Sequence, residues 1–142
     1  PPYVMLAHDH PLAENDAVTL EDLESEPMVL LDMPLSRDYF LSMFQIEGRR
    51  PTIAERTSDL SVARSLVANG FGFGLINMPT KTALAPDGER LAFLPLSGEH
   101  RPMVLGLATK RSEHRSRIVS AFCAHLQSSA QKGDLPGLAK RA

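Results

Sequence analysis

The feature that most constrains this chain is the alternation of short apolar runs with stretches of helical periodicity between positions 28 and 77. Met28-Val29-Leu30-Leu31 is continuously apolar, as a strand covered on both faces must be. Ser36 follows as a candidate N-cap, and Tyr39, Phe40, Met43, Phe44 and Glu47 keep the i, i+3, i+4 spacing of an amphipathic helix. Gly48 suits a left-handed C-cap, with Pro51 just beyond it. Positions 52–57 alternate as a second strand, and Ser58 or Asp59 caps a helix whose apolar face is Val62, Ala63, Leu66 and Val67. Gly70 stops that helix, and 71–77 is a third strand. A βαβαβ unit of this kind implies an α/β fold with a largely parallel sheet.

The flanks are less regular. Tyr3-Val4-Met5-Leu6-Ala7 is a strand closed by His8-Asp9-His10-Pro11, and Thr19 heads a short helix at 19–23. Pro86-Asp87-Gly88 marks a turn, and 91–95 is a short extended piece. A last strand is expected at 103–108, and a helix after Ser112 carries the stripe Ile118, Val119, Phe122, Cys123 and Leu126. From Gln131 onward the pattern is lost, as in a loose tail. Because the flanks join the βαβαβ unit through polar or Pro-containing stretches, two lobes joined by two crossovers are expected. Clefts form at such junctions.

At 142 residues the chain is sized for one domain, and its net charge of −2 argues against a surface that grips a phosphate backbone. No apolar run approaches the ~18 residues of a membrane span. The opening has neither a basic n-region nor a cleavage site, so a signal peptide is not expected. It also has no initiator Met and starts almost at once on a strand, which reads as a piece of a longer protein. A single cysteine, Cys123, excludes a disulfide framework and a multi-thiolate metal site, and fits a reducing cytoplasm.

Gly70-x-Gly72-x-Gly74 invites a nucleotide-binding reading, but the order is helix, glycines, strand, which offers phosphate the wrong end of a helix dipole. Gly72 and Gly74 are better read as letting the strand pack closely under a helix. His8-Asp9-His10 supplies too few ligands for a metal, and His100, His114 and His125 are scattered. Cys123 lies on an apolar stripe, and no G-x-S-x-G elbow occurs. Neither a catalytic role, nor a cofactor, nor a metal is therefore expected. Pro34-Leu35-Ser36-Arg37 has more to offer. It lies where a buried strand ends and a helix begins, where amides and a nearby Arg favour an anion. Thr57-Ser58 and Asn77 hold the equivalent places after the second and third strands, and the three together suggest a shared cleft.

In order and spacing, several segments carry a family pattern: His10-Pro11-Leu12-Ala13, Val18-Thr19-Leu20-Glu21-Asp22-Leu23 through Glu26-Pro27, Ser36-Arg37, Gly48-Arg49-Arg50-Pro51, and Ser65 through Gly74 with Pro79. Over roughly residues 3 to 128 the chain resembles the effector-binding domain of LysR-type transcriptional regulators. The resemblance implies a type 2 periplasmic-binding-protein-like fold: the complete second Rossmann-like subdomain plus the C-terminal part of the first. Residues 1–11 would end subdomain I and cross over, 12–92 would form subdomain II, 93–130 would return to subdomain I, and 131–142 would be tail. It further implies a small-molecule effector, anionic by expectation, in the inter-subdomain cleft. The wall would be Pro34, Leu35, Ser36 and Arg37, with Thr57, Ser58 and Asn77 facing the same space. The parent would be a cytoplasmic, homo-oligomeric regulator (dimer or tetramer), reaching DNA through an N-terminal helix-turn-helix outside this sequence and RNA polymerase indirectly, with no membrane partner. The alternative is a solute-binding protein of a transport system.

Overall fold

The structure, a computed structural model, describes residues 2–101, 106–109 and 116–132. The chain divides into two compact units between Arg101 and Pro102.

The first unit contains β1 (Tyr3–Ala7), β2 (Pro27–Leu31), α1 (Pro34–Ile46), β3 (Thr52–Thr57), α2 (Leu60–Ala68), β4 (Gly74–Ile76) and β5 (Leu91–Pro95). Strand β1 lies antiparallel between β4 and β5, and β2 pairs in parallel with β3. A parallel bridge between Met28 and Phe73 joins the two pieces, with Val29 N–H donating to Phe73 O and Phe73 N–H to Pro27 O, both at 2.8 Å. The resulting order is β3-β2-β4-β1-β5. Strands β2, β3 and β4 run one way, as the βαβαβ pattern requires, and only β1 opposes its neighbours.

The continuous apolar runs are explained by helices on both faces. Val4, Leu6, Met28 and Leu30 join Phe40, Met43 and Phe44 of α1 in one cluster. Met5, Val29 and Leu31, the alternate residues, join Ala63 and Val67 of α2 in the other. Phe40 and Phe44 are 1% exposed, and Phe44 stacks obliquely on Phe73 with ring centroids 6.4 Å apart.

Both main helices end as their glycines predict. Gly48 has φ +70°, Arg49 N–H donates to Phe44 O at 2.8 Å and Gly48 N–H to Gln45 O at 3.0 Å, which is a Schellman closure. Gly70 (φ +79°) closes α2 in the same way through Phe71 N–H to Leu66 O and its own N–H to Val67 O. The helix starts differ in part. Asp59, one of two candidates, caps α2 by accepting from the amides of Ser61 (2.7 Å) and Val62 (3.4 Å). Ser36, expected to cap α1, lies inside its first turn. Pro34 takes the first helical position, since its fixed φ and missing N–H suit that place, and this pushes the cap back to Met33, whose side chain bonds nothing there.

The flanking segments 1–11 and 91–101 each bring a strand to this sheet. Val4, Met5 and Leu6 of β1 are at most 1% exposed, covered on both faces in the middle of the sheet, and β5 pairs beside them. Two sequence expectations differ from what is seen. The segment at 19–23 is a hydrogen-bonded turn, not a helix. The Thr19 hydroxyl and amide donate to Asp22 Oδ2 at 2.7 and 2.9 Å, and Asp22 N–H donates back to Thr19 Oγ1, while the backbone bonds that follow, Glu24 N–H to Glu21 O and Glu26 N–H to Leu23 O, both at 3.1 Å, are isolated turns. The third strand is shorter than 71–77 because Gly72 (φ +143°) breaks the extended run.

The second unit is described through α3 (Arg117–Lys132), on which Cys123 is buried while Ile118, Val119 and Phe122 are exposed. Of the strand expected at 103–108, residues 103–105 lie outside the described residues and 106–108 take no strand form. The tail from 133 also lies outside them. No helix among the described residues is long and apolar enough to cross a membrane.

Candidate functional site

Strands β2, β3 and β4 end at Leu31, Thr57 and Ile76, and their common direction brings the segment after each to one edge of the sheet. Pro34, Leu35, Ser36 and Arg37 come after the first, Ser58 after Thr57, and Asn77 after the third. The seven expected residues are therefore brought to one edge. Pro34, Leu35 and Ser58 are exposed there, and Ser36, Arg37, Thr57 and Asn77 are half-buried.

Two features give this edge its chemistry. The first is the start of α1. Pro34 brings no N–H, and the amides of Leu35 and Ser36 sit too early in the helix for an intrahelical acceptor. With Met33 giving no side-chain cap, these two donors and the positive end of the helix dipole face outward. Leu35 is 84% exposed, and Met33 and Met78 also stand out from the core, so the polar turn is bordered by apolar side chains.

The second feature is a charge network. Arg37 Nη1 donates to Asp32 Oδ1 at 2.8 Å, and its Nε donates to Asp38 Oδ1 at 3.0 Å. The other oxygen of Asp32 lies 3.7 Å from Arg56 Nη1. Asp38 and Asp32 raise the pKa of Arg37 above its ordinary value by bonding to the charged form. Asp32 also donates its own N–H to Thr57 O at 2.7 Å, which fixes the end of β2 against the end of β3. The charge of Arg37 is thus already balanced within the protein. Asp32 and Arg56 were not singled out from the sequence. An acid directly after a buried strand and five residues before an Arg on the next helix was the available signal.

The glycines that suggested phosphate binding are structural. A Cβ on Gly72 would lie 2.1 Å from Pro27 O, and one on Gly74 would meet Met5 Cε at 2.8 Å and Val67 Cγ2 at 3.4 Å. Gly72 thus admits the close approach of β2 and not, as expected, of a helix, while Gly74 makes room for the end of the Met5 side chain of β1. His10 closes a 3-10 turn, Pro11–Glu14, its Nδ1 accepting from Leu12 N–H at 3.2 Å while Nε2 faces Glu26 at 3.4 Å. Among the described residues no group of three His, Cys, Asp or Glu is arranged to hold a metal ion.

A surface depression of about 400 Å³ lies at the other end of α1, lined by Leu41, Gln45, Gly48, Arg49, Arg50 and Pro51. Arg49 there is held by Glu24, by Glu21 at 3.5 Å and by Glu47 at 3.6 Å, an arrangement that ties the loop after α1 to the 20–26 turn.

The family model described as the LysR substrate binding domain matches residues 1–131. Among solved structures, the chain is similar to HinK, a LysR family transcriptional regulator from Pseudomonas aeruginosa, at 34% identity and TM-score 0.68, over 70% of this chain and 34% of that one. It is similar to the C-terminal domain of a probable LysR family transcriptional regulator from Rhodococcus sp. RHA1 at 28% identity and TM-score 0.71, over 89% and 62%. It shares the fold of the BenM effector binding domain solved with its effector benzoate, at 22% identity and TM-score 0.65, over 99% and 65%. The curated relatives it matches carry names of HTH-type transcriptional regulators, and the chain spans 25% to 42% of their length.

Proposed function

The chain belongs to the LysR substrate-binding domain family, and from that premise we propose that it forms part of the effector-sensing domain of a DNA-binding transcriptional regulator. It acts by binding, not by catalysis. The observation that carries this reading is the convergence of three strand ends on one edge, with the uncapped first turn of α1 presenting the amides of Leu35 and Ser36.

In this reading Pro34, Leu35, Ser36, Arg37, Thr57, Ser58 and Asn77 form one wall of the effector cleft, and the opposing lobe supplies the other. Effector binding closes the two and shifts an equilibrium between arrangements of a homo-oligomer, which alters contact with DNA made by a separate helix-turn-helix and, through it, recruitment of RNA polymerase. The site of action is cytoplasmic, at DNA and not at a membrane. The names of the relatives, all regulators, support this over a transport solute-binding protein.

The test is Ser36→Ala in the intact protein that carries this chain, with effector affinity read by calorimetry. The expected result is a loss of about fivefold, the scale of one hydrogen bond. Unchanged affinity would remove the Ser36 hydroxyl from the site.

A further inference from the structure

The charge network at the carboxyl edge bears on which ligands the wall accepts. Arg37 and Arg56 are its cations, and Asp32 places one carboxylate oxygen on each, at 2.8 and 3.7 Å. Asp38 Oδ1 accepts from Arg37 Nε at 3.0 Å, so two of the three guanidinium nitrogens of Arg37 already face carboxylates. Two guanidinium groups thus face two carboxylates, and the four side chains sum to zero formal charge. Asp32 is the least exposed of the four, at 27%, and the only one that touches both cations.

A wall that selects a simple carboxylate needs a guanidinium whose donors are open. Here internal carboxylates already hold Nε and Nη1 of Arg37, and Asp32 also lies 3.7 Å from Arg56. A monoanion that approaches either cation comes up beside Asp32 and meets like-charge repulsion from it. A ligand with no net negative charge meets neither cost, and still has the Leu35 and Ser36 amides and the apolar surface of Met33, Leu35 and Met78 to bind.

We infer that Asp32 is the specificity-determining residue of this wall. It biases the wall against simple carboxylate monoanions and towards small ligands without net negative charge. This rests on the reading of the α1 edge as the effector wall, and it amends the anionic effector expected from the sequence.

The experiment compares benzoate with benzamide, its uncharged near-isostere, titrated into the intact protein that carries this chain at low ionic strength and followed by NMR at the amides of Leu35 and Ser36. The wild-type protein is expected to bind benzamide at least as tightly as benzoate. Asp32→Asn, which keeps the shape of the side chain, is expected to move the affinity ratio at least fivefold towards benzoate. Glu55→Gln, the same change of charge on the neighbouring exposed position of β3, is expected to leave the ratio where it was. Taking a ratio within each variant cancels any general loss of folded protein. A ratio unchanged by Asp32→Asn, or moved equally by Glu55→Gln, overturns the role of Asp32 and leaves the wall standing. Neither probe moving these amides in any variant overturns the wall itself, and the inference with it.

Discussion

Replacing Gly72 by Ala tests how the candidate edge is held together. Gly72 has φ +143°, a conformation L residues rarely adopt, and an added Cβ would lie 2.1 Å from Pro27 O and 2.7 Å from Pro27 C. Neither atom is the free end of a flexible side chain. Relief requires β2 to move away from the 72–73 backbone, and that breaks the Phe73 N–H to Pro27 O bond of 2.8 Å. The backbone strain costs roughly 1–3 kcal/mol and the lost bond about 1 kcal/mol. Displacing Phe73, which is 0% exposed, adds part of a core-residue cost, for a total of about 4 kcal/mol. Against the 5–15 kcal/mol typical of a domain this is a large fraction. With a urea slope of about 2 kcal/mol/M, the unfolding midpoint should fall by about 2 M. Gly70→Ala is the comparison: φ is +79° there, but nothing lies within 4 Å of the added carbon, so only the ~1 kcal/mol left-handed penalty applies. A Gly72→Ala midpoint no lower than that of Gly70→Ala would refute the claim that close strand approach, not conformational freedom alone, requires glycine here.

Three further outcomes rest on the same geometry. Asp59→Ala removes the only side-chain cap of α2 and should cost about 1 kcal/mol in urea unfolding, with Ser58→Ala near neutral. Met33→Ser supplies α1 with the side-chain cap it lacks and should stabilise the chain by about 0.5–1 kcal/mol while weakening ligand binding at the first turn, measured by paired unfolding and titration. The Thr19 hydroxyl and amide hold the Asp22 carboxyl below its ordinary pKa. A depressed folded-state pKa stabilises above the unfolded value and is lost as pH falls through the folded one. Asp22→Asn should therefore destabilise slightly at neutral pH and match the wild type once both carboxyl forms are protonated, read as Tm against pH.

Much of this fold was legible because β1, β2 and β4 are buried on both faces and α1 and α2 end on glycine. Runs such as 28–31 have few alternatives, and Gly48 and Gly70 each close a Schellman turn as their positions suggest. The features that escaped were non-local. That β1 inserts between β4 and β5 depends on pairings some 70 and 90 residues distant in sequence, which local pattern does not encode. Ser36 looked like a cap by residue type, but Pro34 set the register of the helix start. The edge itself was predictable, since strand ends in a parallel unit share a side. Arg37 was found for its charge, while the acids that neutralise it were missed, because ion pairing depends on side-chain approach across β2, α1 and β3.

Ligand is proposed to meet this lobe at the carboxyl edge of β2, β3 and β4. Hydrogen–deuterium exchange on the intact protein carrying this chain, with and without a small molecule that raises its Tm, tests that placement most directly. Slowed exchange is expected at Leu35 and Ser36 and around Thr57, Ser58 and Asn77. Protection confined to the other end of α1, around Leu41, Gln45 and Gly48 to Pro51, would contradict it.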